Sequence, residues 1–246
     1  MPEAELDLRL QRLLFLSDGV YAIAATLLAV ELVLPEAATD LHGRELLDSL
    51  LASWPRVLAF ATSFLFIANF WVGHNMQFHL VKRFDGGLTW LALAQLSCIA
   101  FLPFPTSVVG EHVSDPVAQQ FYLGSLLVTG LSTWALWWYM SSRHRLVDPG
   151  LSPRDIRRLH LISSGVPASF LVLMALVALG VGRFVNPLLL AYLVAFGGVV
   201  LGGVRGTGIA AGRGRGTGSV GRRRAPGRRR KRRTRPLERI AELLRT

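Results

Sequence analysis

The chain has 246 residues, 51% of them hydrophobic, with 27 Lys and Arg against 16 Asp and Glu. A mean hydropathy of +0.40 is high for a soluble domain, and the net charge of +11 is local, because 205–235 holds thirteen of the basic residues and no acidic one. The single cysteine, Cys98, excludes an intrachain disulfide framework and a cysteine-built zinc site.

The chain opens with Glu3, Glu5 and Asp7 against Arg9 and Arg12, so no positive leader region precedes the first apolar run and no cleaved signal peptide is expected. A bilayer takes about 20 mainly apolar residues per helix. Six segments qualify, 13–34, 54–76, 87–109, 117–140, 159–181 and 184–204, which predicts an all-α integral membrane protein with six transmembrane helices. The first span carries Ser17-Asp18-Gly19 in an otherwise apolar run. A carboxylate inside or at the edge of a span is expensive and tends to be kept where it has a task. At 100° per residue, Gly19, Ile23, Thr26, Leu27 and Val30 fall in one stripe that is apolar except for the Thr26 hydroxyl, while Ser17 and Asp18 point away from it. Periodicity alone leaves open whether that stripe meets lipid, the bundle core or a pore.

Residues 35–53 read as an acidic loop, with Glu36, Asp40, Glu45 and Asp48 against Arg44. The second span runs back, so His74 and Asn75 near its end reach about the depth of Ser17 and Asp18. Arg12, Ser17, Asp18, His74 and Asn75 therefore form a candidate network. Two uses fit it: fixing the angle of the first helix by packing, or relaying protons through Asp18 and His74. The third span ends in Phe101-Leu102-Pro103-Phe104-Pro105-Thr106, and the loop after it offers Glu111 and Asp115 without a basic residue.

Lys82 and Arg83 follow the second span, and Arg143, Arg145, Arg154, Arg157 and Arg158 follow the fourth. With Arg9 and Arg12 before the first span and the basic tail after the sixth, alternate loops carry the positive charge, so both termini are expected in the cytoplasm. The six tryptophans lie mostly near span ends, as interfacial anchors do. Asn186-Pro187 marks a break between the last two spans, and Gly198 and Gly202 give spacing suited to close helix packing.

The chain thus divides into a six-span domain, 1–204, and a basic tail, 205–246. The Gly- and Arg-rich part of the tail has too little apolar surface to fold. Its expected partner is anionic lipid of the cytoplasmic leaflet. Nucleic acid would bind only through counterion release, and a specific nucleic-acid partner is not expected. No phosphate loop, His-Glu-x-x-His or nucleophile elbow occurs, and the histidines lack ligand spacing. No enzyme activity, cofactor or resident metal is expected.

Arg12, Ser17, Asp18, Gly19, Ala22, Ile23, Thr26, Leu27 and Leu28 resemble the first-span signature of the transmembrane protein 175 family of potassium channels. Phe70, Trp71, His74 and Phe78 resemble its second-span element, and the Phe101–Thr106 run resembles the end of its third. Two positions depart: Leu16 stands at the motif phenylalanine and Asn75 at the second histidine of a pair. The resemblance implies a potassium-permeable channel of the cell membrane, a homotetramer whose pore is lined by the first helix of each subunit. Ile23 would then form a hydrophobic gate, Thr26 a hydroxyl layer meeting K+ in transit, and Val30 a second apolar ring, flanked by Leu27. No Thr-Val-Gly-Tyr-Gly filter is present. The alternatives are a proton-coupled secondary transporter using Asp18 and His74, disfavoured because the Ser-Asp-Gly span has no second copy, and a membrane-anchored scaffold acting through its tail.

Overall fold

The computed structural model describes residues 3–32 and 41–180; the predicted span 184–204, the tail from 205 and the stretch 33–40 lie outside them. The described chain is helical throughout: α1 (Glu3–Val30), α2 (Arg44–Ala52), α3 (Trp54–Phe78), α4 (Gly86–Phe101), α5 (Pro103–Glu111), α6 (Pro116–Ser141) and α7 (Pro153–Ala178), with a 3-10 turn at Ser142–His144. Among the described residues, four helical stretches are long and apolar enough to cross a membrane: Leu8–Val30, Trp54–Phe78, Gly86–Glu111 and Pro153–Ala178. The segment predicted as the fourth span is the 26-residue α6. It is not among the four, and Gln119, Gln120, Ser125, Thr129, Ser132 and Thr133 interrupt its apolar run.

Helix starts follow from local chemistry. Asp85 accepts the Leu88 N–H at 2.8 Å to cap α4, and Asp115 accepts that of Val117 at 2.7 Å to cap α6. Ser152 caps α7 by accepting the Asp155 N–H at 3.2 Å and donates to the Asp155 carboxylate at 2.8 Å. Pro116 and Pro153 then occupy the first helical turn, where a missing N–H leaves nothing unpaired. The cap places the start of α7 at 153, before the apolar run that marked 159 in the sequence.

Two segments differ from the sequence expectation. The third span is not one helix but α4 and α5, joined at Leu102. Pro103 and Pro105 cannot donate to the preceding turn, and Thr106 ties the corner by giving both its N–H (3.2 Å) and its hydroxyl (2.8 Å) to the Leu102 carbonyl. Within the acidic loop, 44–52 form α2, because Leu46, Leu47, Leu50 and Leu51 recur at helical spacing.

Helix α1 packs on α3, α4 and α5; α4 and α5 both pack on α6, and the most extensive contact is between α6 and α7. That contact is close because Gly130 meets Pro167: a methyl at 130 would lie 3.4–3.5 Å from the proline backbone and ring. At one end of the bundle, the loops after α3 and α6 are fastened together. Val81 pairs with Val147 in a β-bridge. Nearby, Asp85 Oδ2 accepts from the Tyr139 hydroxyl at 2.9 Å and from Arg145 at 3.0 Å, and the guanidinium lies 4.6 Å over the Tyr139 ring. Gly87 leaves room for this cluster, since a Cβ there would push the Tyr139 hydroxyl aside.

Among the described residues the buried apolar side chains form two clusters rather than one. The first gathers Tyr21, Ala24, Leu28, Phe66, Phe70, Leu96, Ile99, Leu126 and Phe170 with their neighbours. The second gathers Leu13, Phe78, Leu88, Ala92, Leu136, Trp137 and Met140 with theirs. Four helices each place a buried polar residue at the changeover: Ser17 between Leu13 and Tyr21, His74 between Phe70 and Phe78, Gln95 between Ala92 and Leu96, and Thr133 between Leu126 and Leu136.

Candidate functional site

Helix α1 has two unlike sides. Leu13, Ser17, Tyr21, Ala24 and Leu28, spaced three or four apart, are buried in the bundle. About 135° round the helix lie Gly19, Ile23, Thr26, Leu27 and Val30, all exposed in the single chain. Ile23 is 60% exposed, Val30 66% and Leu27 43%. The Thr26 hydroxyl donates to the Ile23 carbonyl one turn back at 2.9 Å. Its hydrogen is thereby spent within the helix, and its oxygen lone pairs are what remain for a solute beside the stripe. Past the stripe, Glu31, Arg56 and Glu111 share the lining of a cavity of about 20 Å³, room for one water, and Arg56 lies 3.7 Å from Glu111.

The buried side of α1 is held by hydrogen bonds at the changeover level. The Gln95 amide donates to the Tyr21 hydroxyl at 2.7 Å and to the Thr133 hydroxyl at 3.2 Å, while its oxygen lies 3.0 Å from His74 Nδ1. Each amide hydrogen has its own acceptor, so the oxygen takes the His74 Nδ1–H, and that donation places the neutral imidazole's lone pair at Nε2. His74 Nε2 has no hydrogen-bond partner among the described residues. The imidazole lies between the rings of Phe78, at 4.3 Å, and Tyr21, at 5.6 Å. One glutamine on α4 therefore ties together α1, α3 and α6.

The five residues named as a network from sequence do not form one cluster. Ser17 is buried and donates back to the Leu13 carbonyl at 2.8 Å. Asp18 is exposed and accepts the Trp71 indole N–H at 2.8 Å. His74 turns to Gln95. Arg12 is exposed and Asn75 half-buried. The sequence reading missed Gln95, Tyr21, Thr133 and Trp71 as partners. Gln95 did carry a signal, as a lone amide in a run of Leu and Ala within a span. A separate buried chain runs at the Leu102 corner: with the Thr106 hydrogen given to Leu102, its oxygen accepts from the Ser63 hydroxyl 2.8 Å away, and Ser63 in turn lies 2.8 Å from the Tyr122 hydroxyl. Among the described residues no group of three His, Cys, Asp or Glu side chains is placed to hold a metal.

At the loop end, burial pushes the Asp85 carboxyl up, but the Leu88 N–H, the Tyr139 hydroxyl and Arg145 outweigh it and hold it below the ordinary carboxylate value.

Comparison with known proteins gives a consistent result. Residues 12–103 match a family model described as the endosomal/lysosomal potassium channel TMEM175. The chain is 37% identical over 137 residues to a protein of Streptomyces collinus named as a potassium channel, covering 54% of this chain and 65% of that protein. It is 38% identical over 135 residues to one of Chamaesiphon minutus, also named a potassium channel, covering 53% and 66%. The chain thus aligns with just under two thirds of the length of these relatives. A crystal structure of a lysosomal potassium-selective channel TMEM175 homolog from Chamaesiphon minutus superposes with a TM-score of 0.64 at 31% identity, covering 77% of this chain and 98% of that one.

Proposed function

Because this chain belongs to the TMEM175 family, whose members are ion channels and not enzymes, we propose that it is a potassium-permeable cation channel in which four copies set their first helices around one pore. Six spans, a cell-membrane location and cytoplasmic termini complete the reading, with the basic tail lying against anionic lipid.

The observation that carries it is the uncovered side of α1 with the threonine oxygen turned outward. In a bilayer, greasy exposure alone does not drive helices together, and close association favours small residues; Gly19, Ala22 and Ala29 lie on the exposed part of α1. Four converging Ile23 side chains would offer a cation nothing in place of its water, so a narrow ring there dewets and stops conduction. A small rotation of α1 would widen the ring and wet it. Thr26 then presents a layer of oxygens about one turn further along, enough for weak discrimination between cations. The Tyr21–Gln95 bond resists that rotation from the opposite side of the helix, which ties the gate's position to the buried changeover layer.

The test is potassium flux into liposomes holding the purified protein, comparing the wild type with Ile23→Asn and Thr26→Ala. Lowering a dewetting barrier by only about 1.4 kcal/mol raises passage about tenfold, so Ile23→Asn should leak at least that much faster. Thr26→Ala should keep conducting while losing preference for potassium over sodium. An Ile23→Asn protein with unaltered flux overturns the gate. The proton-coupled transporter has one observation in its favour, the unpartnered Nε2 of His74. It requires flux that saturates and follows a proton gradient, which the same liposomes measure.

A further inference from the structure

Where α6 ends and α7 begins, Ser141, Arg143, Pro153, Ile156, Arg157 and His160 line an open cleft of about 480 Å³. Its charge is one-sided. Arg143 and Arg157 are exposed, and no carboxylate among the described residues lies within ion-pair reach of either. The nearby acids are engaged elsewhere: Asp155 with the Ser152 hydroxyl, Asp148 with the Gly150 N–H at 2.8 Å, and Asp85 with Arg145.

Three further features make this more than a solvated basic surface. Arg143 is the only non-glycine among the described residues with a left-handed backbone, φ 53°, a conformation a bulky L-residue adopts against a steric penalty and which tends to mark functional positions. Ser141 donates to the Trp137 carbonyl at 2.7 Å, so its oxygen accepts from His160 Nε2 at 2.9 Å. That bond fixes the tautomer and leaves Nδ1 as the ring's other polar atom. Pro153 and Ile156 add apolar wall beside the charges. The end of α7 itself is already capped by Ser152, so anion recognition falls to the side chains.

We infer that this cleft binds the phosphate of an anionic membrane lipid, gripped by Arg143 and Arg157 with its glycerol end against Pro153 and Ile156. Basic pockets between spanning helices at the cytoplasmic boundary suit lipid headgroups, and guanidinium groups match phosphate oxygens in pairs. Trp138, exposed about one helical turn before Ser141 on α6, fits that boundary. The inference takes from the proposed function that α6 and α7 cross the bilayer with this end on the cytoplasmic side, and it is separate from lipid binding by the tail.

The experiment is native mass spectrometry of the full chain in neutral detergent, titrated with dioctanoyl phosphatidylglycerol, dioctanoyl phosphatidylcholine or inorganic phosphate. One saturable phosphatidylglycerol per subunit is expected, with phosphatidylcholine about tenfold weaker or more. Arg143→Gln/Arg157→Gln should weaken the phosphatidylglycerol about tenfold, whereas Arg228→Gln/Arg229→Gln in the tail removes the same charge and should leave it bound. Arg143→Gly, whose backbone suits the left-handed turn, gives a second route to the same loss if the glutamine variant does not fold. Equal binding in the cleft and tail variants overturns the site, and so does displacement of the lipid by inorganic phosphate at matching concentration, which would make the ligand a free anion. Potassium flux measured in parallel keeps the readings apart: lipid binding without flux sinks the channel and spares the cleft.

Discussion

The two sides of α1 live in different surroundings within one helix. Leu13, Ser17, Tyr21, Ala24 and Leu28 are each at most 6% exposed, filled against α3, α4 and α5. The side bearing Ile23, Thr26 and Val30 touches nothing comparable within the single chain. On the first side a hydrogen bond reaches in from another helix, Gln95 to Tyr21, whereas the Thr26 hydroxyl of the stripe bonds only back within α1, to Ile23. A helix anchored in this way keeps its rotational setting without using the face it presents outward. Rigidity and availability are thus assigned to separate residues, which can be varied one at a time.

The largest effect should come from removing the anchor. Gln95→Leu deletes three buried hydrogen bonds and strands the groups they served, a loss of about 3 kcal/mol given the range for bonds inside membrane bundles, read as reversible unfolding in mixed micelles. A silent Gln95→Leu would break the comparison, because the filled side would then hold by shape alone. A sharper contrast sets neighbours on opposite sides of the helix. Ala24→Leu forces a larger side chain into a packed position and should cost about 2 kcal/mol. Ala22→Leu, exposed two residues earlier, should stay within about 0.5 kcal/mol in the same measurement on the monomer. Equal effects would mean that the sides are not distinct.

The smallest effect lies outside the membrane, at the loop fastening. The Asp85 carboxyl titrates below its unfolded value, so its contribution is complete above about pH 4 and fades as pH falls through the depressed folded value. Wild-type stability should therefore drop below about pH 4 by under about 1 kcal/mol, as suits a partly exposed pair. Asp85→Asn, which cannot lose that charge, should show the drop missing when the two pH profiles are compared.

Much of this arrangement is legible in residue spacing. The exposed stripe of α1 follows from counting 100° per residue, and four of the six predicted spans follow from runs of apolar side chains. Partners are another matter. Asp18 meets Trp71, 53 residues away, and Gln95 meets Tyr21 across 74. Such pairings depend on the crossing angles of helices, which no single helix encodes. The break at Leu102 was written in Pro103 and Pro105, yet the apolar run masks it because hydropathy ignores missing N–H groups. Helix α2 was hidden by its acidic neighbours, since charge counting hides a short run of leucines at helical spacing.

Gly130 has a consequence beyond the spot it occupies. It lies eleven residues from Ser141 along α6, as Pro167 lies eleven from Ile156 along α7, so the bare contact stands about 16 Å from the cleft on both arms. It works as a caliper pivot. A splay of about 5° there opens the far ends by roughly 1.4 Å, taken over that helical rise, about half a hydrogen-bond length. The spacing of the two arginines is thereby set at a distance, by an atom that is not there.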